Sequence, residues 1–147
     1  MQGTTPELLA RSRRAIRRLL DHGFRTVSEQ YADYNLGNVL IDLESSQLGL
    51  RFTSDRGQYF VEVRNLADEE WFDEHTVLTF LGAHEAAEEL IEQKRKSAEG
   101  AVAAVDQHFA AIAAAFSDER YPKTKEGLHL IKRDHAERLF GYHAPPN

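Results

Sequence analysis

The chain has 147 residues, which is the usual size of one domain, and 29% of them are charged, with a net charge of −6. It contains no cysteine, which excludes disulfides and thiolate-bound metals. The longest apolar run, 109–116, is far shorter than the roughly 20 residues of a membrane span, and residues 1–14 lack the apolar core of a signal peptide. We therefore expect one soluble domain over residues 1–147, in the cytoplasm and without a membrane partner.

The first predicted element is a basic amphipathic helix. Thr5 and Pro6 fit its N-cap and first helical position, and Gly23 fits its end. One face is apolar, and the other carries five arginines: Arg11, Arg13, Arg14, Arg17 and Arg18. Three uses of this face remain open: it is solvated, it binds phosphate, or it meets an acidic helix around Glu88 and Glu92, within the chain or across a dimer.

Three segments in which apolar residues alternate with period two predict an antiparallel meander. Pairing Leu43 with Leu48 and Phe52 with Tyr59 places all three apolar sets on one face of the sheet. A short edge strand at residues 24–27 would make a fourth strand. The alternating sets are Val39/Ile41/Leu43, Leu48/Leu50/Phe52 and Tyr59/Val61/Val63.

The second half of the sequence is predicted to be helical. Asp73 fits the N-cap of a short helix, residues 83–96 form the next one with a break favoured near Ser97 or Gly100, and the last helix begins at Thr124. Between them runs a heptad seam of Val102, Val105, Phe109, Ile112 and Phe116. The predicted fold class is α+β: an N-terminal helix, an antiparallel meander of three or four strands, and three or four C-terminal helices packed on one face.

An acidic stretch surrounds the only tryptophan of the chain. Residues 66–100 hold ten acids against three bases, and five of the acids lie within residues 68–74. Aromatic residues anchor many interfaces, and acids around them select a basic partner. Alternatively, Trp71 closes one end of the core. The predicted partner-binding surface consists of Asp68, Glu69, Glu70, Trp71, Asp73, Glu74, Glu85, Glu88 and Glu92.

Two residue pairs raise the alternative of a metal-dependent hydrolase or nuclease. His84 and Glu88 have i, i+4 spacing, and Asp42 and Glu62 become neighbours across Gly49 in the predicted register. Neither pair completes a known metal motif, and the chain has no glycine-rich phosphate loop and no nucleophile elbow. We predict no catalytic residue, no metal and no cofactor; the sequence leaves catalysis open and favours its absence. An acidic chain repels phosphates, so a nucleic-acid partner is not expected.

The segment 39–82 carries a family resemblance. It reads Leu48-x-Leu50-Arg51-Phe52-x-x-Asp55-Arg56-Gly57-Gln58, then Val61-x-Val63, then Trp71, and then Val77-Leu78-x-x-Leu81-Gly82. This layout resembles small bacterial immunity proteins of polymorphic toxin systems, and equally uncharacterised small bacterial α+β proteins. The resemblance implies a stoichiometric inhibitor that binds one cognate toxin and has no catalysis of its own.

The leading hypothesis is therefore a small protein-interaction module, an immunity-like inhibitor or adaptor, that binds a basic protein partner through its acidic surface. Acidic groups suit this role if the toxin is a basic nuclease, because they can mimic phosphates. The alternatives are the metal-dependent hydrolase or nuclease, and a homodimeric helical scaffold built on the heptad seam.

Overall fold

A five-stranded antiparallel sheet with helices on one of its faces forms the fold, which confirms the predicted α+β class. The computed structural model describes residues 5–32 and 38–140. The strands are β1 (Arg25–Ala32), β2 (Asn38–Glu44), β3 (Leu48–Asp55), β4 (Gln58–Asn65) and β5 (Phe72–Asp73). The helices are α1 (Thr5–Leu20), α2 (Glu74–Phe80), α3 (His84–Glu92), α4 (Ala98–Gln107), α5 (Phe109–Ala115) and α6 (Tyr121–Phe140), with a 3-10 turn at Lys94–Lys96.

The sheet is a meander in the order β1-β2-β3-β4-β5. The three alternating apolar sets are buried on one face, as predicted. The predicted register is wrong by two residues, since Leu43 pairs with Leu50 and Phe52 pairs with Val61. A slip of two keeps every side chain on its face, so the alternation alone could not distinguish the two registers.

The β3–β4 turn explains part of this difference. Asp55 pairs with Gln58, so the loop contains only Arg56 and Gly57. Both residues have positive φ, 54° and 81°, as a two-residue type I′ turn requires. The tight turn lengthens both strands beyond their predicted ends.

The core lies between the inner face of the sheet and the helices. Helix α1 contributes Ile16 and Leu19 from its apolar stripe. A smaller cluster joins Leu78 of α2 and Leu90 of α3 to Ala104 of α4, so that α4 contacts α3 as well as α1. The largest fully buried side chains include Phe52, Phe72, Phe116, Leu19, Ile41, Leu50, Ile112 and Leu128.

The helix predicted over residues 83–96 ends at Glu92 and gives way to the 3-10 turn. The predicted break is confirmed at Ser97, whose Oγ accepts a hydrogen bond from the Gly100 N–H at 2.9 Å and so caps α4. At the other end of the helical region, α6 begins at Tyr121 rather than Thr124. Pro122 fits there because a missing N–H in the first helical turn breaks no intrahelical hydrogen bond.

The heptad seam does not lie on one helix. The backbone at His108, with φ −111° and ψ 16°, separates α4 from α5. Phe109 is partly buried and packs against the core, and the other four seam residues are buried in it: Val102, Val105, Ile112 and Phe116. The seam therefore packs within its own chain. The helices formed by the described residues all lack the combination of length and apolar composition that a transmembrane helix needs.

Candidate interaction surface

The first part of the predicted surface is bound to α6. The Asp68 carboxylate lies 2.8 Å from Nζ of Lys125 and accepts a hydrogen bond from the Tyr121 hydroxyl. These two contacts, with Lys125 contributing most, lower the pKa of Asp68 to about 2. Burial and the same hydrogen bond raise the pKa of Tyr121. Asp68 thus stabilises the contact between the segment after β4 and the first turn of α6.

Glu70 is also neutralised by α6. One of its oxygens lies 2.8 Å from Nε2 of His129 and 3.6 Å from Nζ of Lys132, and the other lies 3.8 Å from Nζ of Lys125. Glu69 differs, since it is exposed and makes no side-chain ion pair with any described residue. Of these neighbouring acids, only Glu69 presents an uncompensated charge.

Trp71 lies on the outer face of the sheet, the face opposite the core, and is partly exposed. The guanidinium carbon of Arg51 lies 4.4 Å from its ring centroid, and that of Arg64 lies 5.3 Å away. Two cation–π contacts therefore hold the indole. Trp71 therefore does not close one end of the core, which was the alternative considered for it.

Asp73 and Glu74 occupy the junction between β5 and α2. The Asp73 carboxylate caps α2 by accepting hydrogen bonds from the Thr76 N–H (3.1 Å) and hydroxyl (2.6 Å), which confirms the predicted N-cap. Glu74 is only 2% exposed, and neither of its carboxylate oxygens has a hydrogen-bond partner among the described residues. Burial raises its pKa well above the ordinary value. Glu74 is therefore inaccessible to a protein partner.

The remaining predicted residues lie together on the outward face of α3. Glu85, Glu88 and Glu92 are exposed, and Glu89, which is not one of the predicted residues, is exposed among them. The opposite side of the helix is buried through Ala87 and Leu90. None of the four carboxylates makes an ion pair with the described part of the chain. We call Glu85, Glu88, Glu89 and Glu92 the acidic row.

The helical period contains the signal that identifies Glu89. Residues three and four apart share one helix face, so Glu85 and Glu92 place Glu89 between them. The next residue but one, Ile91, is 51% exposed and borders the same face. Periodicity thus extends the predicted acidic surface by one carboxylate and one apolar side chain.

The two pairs considered under the hydrolase alternative do not form a metal site among the described residues. Asp42 and Glu62 do not meet across Gly49, because the observed register places Arg51 between them in a row that continues to Asp73. Arg51 donates two hydrogen bonds to Asp42, at 2.8 and 3.2 Å. The other pair, on α3, is exposed to solvent. Within residues 5–32 and 38–140, no group of three or more His, Asp or Glu side chains is placed to hold a metal ion.

The arginines of α1 separate into two sets. Arg13 donates two hydrogen bonds to Glu29 of β1, at 2.9 and 2.7 Å. The other four are exposed and make no ion pair with a described residue: Arg11, Arg14, Arg17 and Arg18. The contact between this helix and Glu88 or Glu92, one of the three uses predicted for the basic face, is therefore not formed by ion pairs within the described chain.

Comparison with known proteins identifies no relative: no protein-family model, no curated protein and no solved structure matches this chain. The function is therefore inferred from the residues, contacts and charges described above.

Proposed function

We propose that the protein is a non-catalytic binding module, an immunity-like inhibitor or adaptor of the cytoplasm, that engages a basic protein partner through the acidic row of α3. One observation carries the proposal: four exposed carboxylates crowd the nine-residue helix, and none of them forms an ion pair with a described residue. The acids of residues 68–70, in contrast, are mostly compensated by α6.

The crowding is unfavourable for α3 itself. Glu85 lies three and four residues from Glu88 and Glu89, and Glu92 lies four and three residues from the same pair. Like charges at these spacings each destabilise a helix by about 0.2–0.5 kcal/mol. Only Glu85 lies in the first turn, where the helix dipole favours an acid. A basic partner would relieve this repulsion, which gives the acidic row a reason to bind cations.

Ile91 supplies an apolar contact beside the acids. Half of its surface is exposed, whereas Ala87 and Leu90 on the same helix are buried. An exposed aliphatic side chain bordered by charges matches the pattern of an apolar centre with a polar rim. The proposed contact surface therefore retains Glu85, Glu88 and Glu92 and adds Glu89 and Ile91.

The resemblance of residues 39–82 to immunity proteins supports one class of partner. A basic nuclease toxin has a cationic groove for phosphates, and a row of carboxylates on a rigid helix can occupy such a groove. Association would be steered by long-range attraction and would weaken as salt increases.

Affinity purification from the native host tests the proposal, with bound proteins identified by mass spectrometry. The bait is the wild-type chain, the variant E85K/E88K/E92K, or the control E119K/E126K, which reverses exposed acids outside α3. A basic protein recovered with the wild type and the control, but lost with the α3 variant, supports the proposal. Equal recovery with all three baits, or no basic partner with the wild type, contradicts it. Circular dichroism checks that each bait is folded.

A further inference from the structure

A second helix carries the opposite charge at the same spacing. Arg11, Arg14 and Arg18 of α1 lie at positions i, i+3 and i+7, and we call these three residues the basic row. On α3, Glu85, Glu88 and Glu92 also lie at i, i+3 and i+7. Each set spans about 10 Å along its helix, since the rise is about 1.5 Å per residue. Two such helices placed side by side in parallel bring all three opposite-charge pairs together.

The basic row lies on the side of α1 that borders α4. Arg13, on the other side, reaches Glu29 of the edge strand β1. Arg14 and Arg18 line a surface cavity of about 280 Å³ together with Glu99 of α4. None of the three arginines of the row forms an ion pair with a described residue.

Helix α4 separates the two rows. Asp106 contacts His22, just after α1, at 2.7 Å, whereas Ala104 packs against Leu90 of α3. Asp106 and Ala104 are two residues apart, which is about 200° around a helix, so α1 and α3 adjoin opposite sides of α4. The rows therefore flank one helix, positive on one side and negative on the other.

We propose that the chain associates with a second copy of itself, so that the basic row of each copy lies against the acidic row of the other. A two-fold axis passing near α4 places α1 beside the partner's α3 and α3 beside the partner's α1, which forms two equivalent contacts. The aliphatic part of the arginine side chains covers the exposed Ile91. The inference goes beyond the proposed function, because it involves the basic row and requires no other protein.

The predicted association is weak and depends on salt. Exposed ion pairs contribute about 0.2–1 kcal/mol each, and screening becomes severe as the Debye length falls from about 10 Å at 0.1 M to about 3 Å at 1 M salt. We expect the association constant of the purified wild-type chain to fall at least about tenfold over this range. Sedimentation equilibrium over a series of protein concentrations measures it.

A charge-swap experiment tests the pairing itself. In R11E/R14E/R18E both rows are acidic, and in E85R/E88R/E92R both rows are basic, so each variant alone should be monomeric. An equimolar mixture should dimerise, because each of the two contacts then pairs an acidic row with a basic row. The control K96E/R120E/K123E, which reverses three exposed bases outside α1, should associate like the wild type.

Any one of three results would overturn the inference. The wild type stays monomeric at about 0.1 M salt, a single variant associates like the wild type, or the mixture stays monomeric. Restoration in the mixture shows that the variants are folded, since misfolded chains would not pair specifically. The outcomes also distinguish the two proposals. Self-association without a basic partner contradicts only the proposed function, and a basic partner bound by a strictly monomeric chain contradicts only this inference.

Discussion

The guanidinium of Arg51 lies 4.4 Å from the ring centroid of Trp71. Arg51 is held in this position by two hydrogen bonds to Asp42 on the neighbouring strand. These hydrogen bonds raise the pKa of Arg51. The only tryptophan of the chain is therefore fixed by a strand-to-strand ion pair on the outer face, and it reports on that face.

Replacing Arg51 with Gln should loosen Trp71. The change removes a cation–π contact and two charge-assisted hydrogen bonds, and we expect a loss of about 1–3 kcal/mol in the free energy of unfolding. Tryptophan emission should shift to longer wavelength as the indole becomes more hydrated. Urea unfolding followed by fluorescence measures both effects. R17Q, an exposed arginine without a described ion pair, is the control. Unchanged emission in R51Q would contradict the assigned contact.

The burial of Glu74 predicts a loss in the free energy of unfolding that depends on pH. Its pKa is raised in the native state, so at pH values between the unfolded and the native pKa the native chain keeps a proton that the unfolded chain has released. The contribution of Glu74 to stability is therefore most favourable below the unfolded pKa of about 4.5 and falls as pH rises through the native pKa. E74Q should be more stable than the wild type at pH 7, with a difference that narrows toward pH 4. Urea unfolding across this range measures it, and a constant difference would refute the expectation.

The lowered pKa of Asp68 predicts that its contribution to stability depends on pH in the opposite direction to that of Glu74. Its pKa is lowered to about 2 from an unfolded value of 3.8, so its stabilising effect is complete above the unfolded pKa and is lost as pH falls through about 2. D68N should cost about 1–2 kcal/mol at pH 7, because two hydrogen bonds to a charged group are weakened. The cost should disappear in acid. E69Q, which alters the exposed neighbour, should change the free energy of unfolding by less than about 0.5 kcal/mol.

Gly127 allows α6 to approach α2 closely. A Cβ added at this position would overlap the Phe80 ring, with Cδ1 at 2.8 Å and Cε1 nearer still. In an exposed helix, alanine would be more stable than glycine by about 1 kcal/mol. Here we expect G127A to lose about 1–3 kcal/mol through overpacking. Thermal unfolding measures the loss, and F80L should recover part of it in the double variant. A stabilised G127A would show that the two helices can separate without cost.

Period-two alternation predicted which side chains of the meander are buried, because one apolar face must be removed from water. It did not predict the register, which depends on the positive φ angles at Arg56 and Gly57. The cap at Ser97 was predictable because it is local. The pairing of Asp68 with Lys125 was not, because those residues are distant in sequence and meet only when α6 folds back.

The burial of Glu74 was not predictable from the sequence either. It lies where a strand becomes a helix, and neither a period of two nor a period of 3.6 applies across that junction. From the sequence alone, Glu74 is interpreted as part of a solvated cluster of acids. Only the packed structure shows that its side chain is buried. The acidic row of α3 was easier to predict because it lies within one regular helix.

The meander also has a kinetic consequence. Every strand pairs with its neighbour in sequence, so the sheet can form hairpin by hairpin with short loops and little chain entropy lost at each closure. Helix α1 packs against β1 and β2, which follow it closely in sequence, but it also packs against α4, and the contact of His22 with Asp106 spans 84 residues. During synthesis α1 is made before α4, so α1 can complete its packing only after α4 has been made.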